Sequence, residues 1–197
     1  MSKVGIQCVK YSKIKDGKYT GPKDISTLVT FNGSPNVKEG EDWGDNRKVT
    51  SHRSVNKIAL SMELNDLRGD KYADICGHEY DEEKKQVTVK DTDNSPYVGI
   101  GAIGNSEDEN GKTIYVLKIY PCMQFSEPND DNSTENDSVN YKHVTLEGTG
   151  YPDKEGILKI EQEFDTLEKA KEELDKFLAA PAENQAASVL EGQSQGE

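Results

Sequence analysis

The sequence predicts a β-rich domain with a short helix in its middle and a late amphipathic helix packed on the sheet. Three observations carry this. Ile58, Leu60, Met62 and Leu64 alternate with Lys57, Ala59, Ser61 and Glu63, and a period of two places the four apolar side chains on one face of a strand. The run KTIYVLKIY, Lys112 to Tyr120, is largely apolar on both faces and rich in residues that fit an extended backbone. Leu167, Ala170, Leu174, Phe177 and Leu178 recur at helical spacing within 165–180, which makes one apolar stripe on a helix.

The other elements are read in chain order. Val4, Ile6 and Cys8 share a period-two face, Asp16-Gly17 reads as a turn, and Tyr19 begins the next segment. Leu28 to Phe31 favours extended structure, and Asn32-Gly33-Ser34-Pro35 is expected to turn the chain. GEDWGDNR, Gly40 to Arg47, is turn-rich and acidic around Trp43. Asp66 to Gly77 reads as a short helix, with Asp66 or Asp70 capping its start and Gly77 closing its end. Tyr72, Ala73 and Cys76 share one side of it. Asp81 to Lys85 forms a charged turn, after which Val87 and Val89 start an alternating segment. Val144 to Thr149 is extended, and Ile157, Leu158 and Ile160 suggest one more strand. Asp165 with Glu168, or Thr166 with Lys169, brackets the start of the late helix, and Pro181 stops it. Residues 1–180 are expected to form one domain, and 181–197, poor in large apolar residues, a flexible tail.

Composition narrows the function. A chain of 197 residues is long enough for one domain with a real core. Acidic residues outnumber basic ones, 37 to 24, for a formal charge of -13. Bases are interspersed with acids throughout, so sequence-specific nucleic-acid binding is not expected. A surface that nucleic acid passes without being held is compatible with this charge. MSKVGIQCVKYSKIKDG lacks the apolar run of a signal peptide. No window approaches the roughly 20 apolar residues of a membrane span. Cys8, Cys76 and Cys122, scattered and odd in number, read as buried or half-buried free thiols in a cytosolic setting.

Candidate chemistry is sparse. Gly99, Gly101 and Gly104 make a literal G-x-G-x-x-G. The dinucleotide fingerprint needs a helix opening within it, because helix amides hold the pyrophosphate. Here Asn105 to Asn110 is polar, and Gly111 leads into another strand. The better reading is a strand from Tyr97 to Ile103, joined by a hairpin loop to KTIYVLKIY. Gly99, Gly101 and Ile103 share one face of it, and Val98, Ile100 and Ala102 the other. Glycines there allow close approach of another backbone, or a bulge. Ile114, Val116 and Lys118 face one way from the next strand, and Tyr115, Leu117 and Ile119 the other. That strand is covered on both sides, or covered on one and buried in a partner contact on the other.

Asp91, Asp93 and Asn94, like Asn129 to Asn132, lack the order of an EF-hand loop and read as exposed turns. His52, His78 and His143 have no metal-ligand spacing with the cysteines. A Cys76–His78 dyad is formally possible, but alternate residues of an extended chain point in opposite directions. The chain is therefore expected to be no enzyme, with no cofactor and no metal. Its long polar segments and two-faced strands favour an assembly protein whose sheet edges are met by another copy.

In order and spacing, several short motifs resemble one family. They are GDNR at Gly44 to Arg47, the alternating strand Ile58 to Leu64, and Asp66 to Gly77 with Leu67 and the ICG at Ile75 to Gly77. PYVGIG at Pro96 to Gly101 follows, then Thr113 to Tyr120 extended through Pro121 to Phe125. Over about residues 1 to 160, the chain resembles the major tail proteins, or tail tube proteins, of long-tailed bacteriophages. The resemblance is specifically to the phi13-type group from phages of Gram-positive bacteria. It implies a β-sandwich of the tail-tube type with a packed helix and long polar loops. It implies hexameric rings that stack into a hollow tube, through which double-stranded DNA passes without specific binding. The tail initiator, terminator and tape measure proteins are the partners it implies. The chain would then belong to the virion tail, assembled in the host cytoplasm.

On this resemblance Gly99, Gly101, Tyr115, Leu117 and Ile119 lie on assembly or lumen strands. Glu127, Asp130, Asp131 and Glu135, in the acidic stretch Glu127 to Asn140, lie on an inter-subunit loop. The helix and tail after Asp165 match no motif of the family. Flexible and contractile tails are not separated by these motifs. Two alternatives stay open: an inner-tube protein of a contractile injection system, and a β-sandwich binding module for a protein or carbohydrate.

Overall fold

The structure, a computed structural model, describes residues 2–44, 47–107, 109, 111–129 and 143–179, with backbone only at 2–4 and 39–53. In chain order the elements are β1 (Ser2–Lys15), β2 (Lys18–Tyr19), β3 (Lys23–Asp24), β4 (Leu28–Gly44) and β5 (Arg47–Leu64). Then come α1 (Gly69–Cys76), β6 (Glu79–Asp81), β7 (Gln86–Thr88), β8 (Val98–Glu107) and β9 (Thr113–Phe125). β10 (Val144–Gly150), β11 (Ile160–Phe164) and α2 (Leu167–Ala179) complete the chain. The class is mainly β with a packed helix, as the alternating runs require.

One large antiparallel sheet runs β2-β1-β8-β9-β10-β5-β4, with β11 on β9 and β3 on β1; β6 and β7 form a separate hairpin. β9 is long enough to serve two partners along one edge. Tyr115 to Ile119 pair with β11, and Met123 to Phe125 with β10. The sheet curls enough to bring β4 over β9, which is not its hydrogen-bonded neighbour. Phe31 of β4 and Tyr120 of β9 pack with ring centroids 5.7 Å apart.

Two apolar clusters form on the two faces of β8. Val98, Ile100 and Ala102 point into the main core, with Tyr11, Leu60, Met62 and Leu146. Ile103 points the other way, into a second cluster made by Leu117, Ile119 and the α2 stripe. The stripe read from the sequence is the buried face of α2: Ala170, Leu174, Phe177 and Leu178 are all buried. Thr166 caps the helix, its Oγ1 accepting from the Lys169 N–H at 3.4 Å, whereas Asp165 pairs with Lys112 at 2.6 Å. At α1 neither Asp66 nor Asp70 caps; the N-cap is Arg68, with no side-chain hydrogen bond.

Three expectations need correction. Asn32 to Pro35 does not turn the chain; β4 runs straight through it, with Pro35 opposite Ile58. Proline removes a ladder donor, which is tolerated here because β4 is the last strand of the sheet. In β1 the face of Ile6 and Cys8 is not the main core face. An irregularity between Ile6 and Cys8 resets the register, and Val9 and Tyr11 become the buried pair. The last strand is Ile160–Phe164 and begins after Ile157 and Leu158.

The β4–β5 hairpin outgrows the sheet. β10 pairs with β5 only from Ile58 to Leu64, while the β4–β5 ladder continues from Asn36↔Lys57 to Gly44↔Arg47. These nine residues of β4 form a two-stranded arm of about 30 Å, at ~3.3 Å per residue. The segment expected to be turn-rich is largely strand: Gly40 to Gly44 end β4 and Arg47 begins β5. Residues 181–197, expected to be a tail, lie outside the described residues.

Candidate functional site

The predicted glycine strand is β8, and it carries no phosphate site. Gly99, Gly101 and Gly104 all lie within Val98–Glu107, and the chain continues into β9, not a helix. A register irregularity falls at Gly99, between Val98 and Ile100, and the nearest approach to Gly99 and Gly101 is by side chains of the same chain and not by another backbone. A Cβ on Gly99 would meet the Tyr19 ring at 2.4 Å, and one on Gly101 would meet Leu174 Cδ1 at 2.4 Å. Tyr19 is fixed over Gly99 because its hydroxyl donates to the Pro121 carbonyl at 2.9 Å. Its ring also packs on Phe177. On β9, Leu117 and Ile119 are buried under α2, and Tyr115 packs at the edge of the same cluster. Of the acidic residues singled out, Glu127 is described, while Asp130, Asp131 and Glu135 lie outside the described residues.

On the opposite face of β8 and β9, a cleft of about 450 Å³ opens between these strands and β4. Val29, Asn105, Val116 and Glu163 are among its lining residues. Beneath it the Asn105 Oδ1 is buried with no hydrogen-bond partner among the described residues. Nothing in the sequence pattern signals this cleft, because β4 and β9 are distant in the chain and in the strand order.

A charged cluster ties α1 to the start of the chain. Asp74 accepts from Lys13 at 3.2 Å, from Lys23 at 2.5 Å and from the Tyr11 hydroxyl at 3.3 Å. Burial works to raise the Asp74 carboxyl, but the Lys23 hydrogen bond and the Lys13 charge outweigh it and hold it below the usual carboxylate range. A carboxyl lowered on folding binds fewer protons folded than unfolded, so its contribution to stability grows with pH. Asp74→Asn should therefore cost about 1 kcal/mol at neutral pH. The gap from wild type should be full above about pH 4 and close as pH falls below it. Denaturant titrations across that range check this, and a gap independent of pH would refute the ionic role.

The densest group of reactive side chains sits where α1 ends. Gly77 follows α1 in the left-handed conformation, φ 85 and ψ 25, with its N–H on the Ala73 carbonyl. That turn reverses the expectation for Cys76 and His78: they do not diverge as in an extended chain but converge. One ligand atom from each of Cys76, His78 and Glu127 lies within 4.8 Å of the others. His78 Nδ1 lies 2.8 Å from Asp93 Oδ2, and Nε2 lies 2.9 Å from Glu127 Oε2. The Tyr72 hydroxyl donates to the other Glu127 oxygen.

The surroundings hold this group in place. The Lys90 N–H donates to Asp93 at 2.9 Å, which closes a tight turn. Ser95 bonds the Ile75 carbonyl, and Gln124 of β9 bonds the Ser95 carbonyl. Burial pushes the Cys76 thiol up to about 11, which leaves it protonated at neutral pH and a poor nucleophile. Cys8, Cys76 and Cys122 are all free, Cys76 buried and the other two half-buried, as read from their scatter.

No protein-family model matches the chain, and no curated protein matches it.

Proposed function

We propose that this chain is a structural subunit that self-associates into hexameric rings, and that the rings stack into a hollow tube like the tail tubes it resembles. The observation that carries this reading is the β4–β5 arm. A two-stranded ribbon is marginal alone in water and becomes stable against a third surface. Val37 and Val55 sit directly opposite each other near its base, both substantially exposed. Beyond them the outgoing strand is mostly acidic, with Glu39, Glu41 and Asp42. The returning strand is basic, with Arg47, Lys48 and Arg53. Such a ribbon is suited to a neighbouring copy with complementary charge.

In this reading the arm, more than Gly99 and Gly101 or Tyr115, Leu117 and Ile119, makes the contact between subunits. The latter five are occupied beneath Tyr19 and α2. The curled sheet takes the part of the family's β-sandwich. The charge of -13 lets double-stranded DNA move along a lumen without adhering. No cofactor takes part, and the initiator, terminator and tape measure proteins set where tubes start and end. The virion tail is the place of action, after assembly in the host cytoplasm.

Sedimentation and electron microscopy test it. Wild-type protein should form rings and tubes with rising concentration. A variant with Val37→Asp and Val55→Asp should stay folded by circular dichroism and remain monomeric. A wild-type monomer at every concentration, or normal tubes from the double variant, would end this reading.

The cleft beside β4, with its unsatisfied Asn105 oxygen, favours a second reading as a binding module for a protein or carbohydrate. That reading requires a fixed oligomeric state and saturable ligand binding lost in a variant that fills the cleft.

A further inference from the structure

His78 presents an unresolved polar contact. Its Nδ1 faces the Asp93 carboxylate, which is already fixed by the Lys90 N–H. A neutral imidazole that donates from Nδ1 to Asp93 has only a lone pair at Nε2. That lone pair faces a carboxylate oxygen of Glu127 at 2.9 Å. Two acceptors at that separation repel unless a proton or a metal ion lies between them. The His78 side chain is 4% exposed, so water does not relieve the contact. A proton on either Nε2 or the Glu127 carboxyl would relieve it, and so would a metal ion.

The third donor decides between them. The Cys76 sulfur belongs to the same cluster, and a proton shared between His78 and Glu127 has no use for it. A tetrahedral ion with bonds of about 2.0–2.3 Å holds its donor atoms about 3.3–3.6 Å apart. The present separations, 2.9 Å between His78 Nε2 and Glu127 and none above 4.8 Å, reach that range with small side-chain movements. Glu127, whose side chain is half exposed, is the one free to make them. Nitrogen, thiolate and carboxylate donors together suit zinc and neighbouring transition metals and not calcium or magnesium.

We propose that Cys76, His78 and Glu127 form a three-ligand site for a divalent transition metal, zinc by its donor set, with Asp93 as the outer carboxylate that orients His78. Asp93 holds the His78 ring in the tautomer that offers Nε2 to the ion, the usual arrangement behind a metal-bound histidine. The Cys76 thiol gives up its proton to solvent as the sulfur–metal bond forms, so loading releases one proton per ion. Three protein ligands leave a fourth position for water. The ion joins the end of α1 to the end of β9, where the acidic stretch begins. The site is independent of whether the chain assembles.

The test uses the reduced full chain, titrated with zinc and with cobalt(II). One equivalent should bind, with one proton released, and cobalt should give the visible bands of a tetrahedral site and a thiolate charge-transfer band. Asp93→Asn should weaken binding by about 10–100-fold, and Glu127→Gln, which removes a ligand's charge, by at least as much. Cys76→Ser should remove the charge-transfer band; if it does not fold, the other two variants still decide. Failure of the wild type to bind either metal would overturn the site. So would a charge-transfer band that survives Cys76→Ser, or affinity unchanged in both carboxylate variants.

Discussion

Gly77→Ala should destabilise the protein by about 3 kcal/mol or more, the largest effect expected of any single methyl group here. Two causes combine. Gly77 has φ 85, where an L side chain is strained. A Cβ there would also lie 2.1 Å from the Asn94 carbonyl oxygen, a backbone atom that cannot rotate away. The turn of 90–96 would have to leave α1, taking with it the Ser95 bond to Ile75 and the Asp93 contact to His78. Gly156→Ala is the control. Gly156 has nearly the same φ, 84, but nothing within 4 Å of an added Cβ, so it should lose only about 1 kcal/mol. Denaturant midpoints for the two variants separate backbone strain from collision. Equal losses would mean that the Asn94 contact contributes nothing.

Gly101→Val should loosen α2 and lower stability by about 1–3 kcal/mol through overpacking. Valine suits a strand, so the loss has to come from what lies above it. Leu174 is fully buried, and the added Cβ would also stand 3.3 Å from the Lys118 carbonyl. Leu174→Ala alone should cost about 2–5 kcal/mol, from a cavity under the helix. Combined, the two changes should cost less than their sum, because the valine occupies part of the space the leucine leaves. Strict additivity in this cycle would show that the two residues do not compete for one volume. A Gly101→Val protein of wild-type stability would remove the packing role altogether.

Both predictions depend on contacts between segments far apart in the chain, and the sequence was legible only up to that point. The alternating run at Ile58 to Leu64, the two faces of Val98 to Ile103 and the stripe of α2 were read correctly because local periodicity decides which side of a strand or helix is apolar. Gly77 was read as a helix end because a C-terminal glycine has a local backbone reason. Asn32 to Pro35 departs from its local pattern for the complementary reason. Its residues have strong turn preferences, yet β5 supplies a partner for the ladder and an edge position tolerates the proline. The β4–β5 arm is not legible in the sequence because a mostly polar ribbon has no apolar alternation to reveal it.

The cluster at Cys76 and His78 shows the same division. The residue types and the glycine between them were visible, and a glycine in the left-handed conformation could have signalled that the two side chains converge. Asp93 and Glu127 could not be found that way, since one lies in a turn beyond the β6–β7 hairpin and the other at the end of β9. What the sequence determined by itself was the mainly β class, the acidic surface, the faces of its clearest strands and the helix that packs on them, because these depend on residues a few positions apart. Only the tertiary structure decided that Tyr19 and Leu174 fill the space over the glycines, that β4 continues as an arm, and that four side chains from three segments meet around His78. Such meetings depend on how the sheet curls and on the strand order, and no local pattern of residues encodes either.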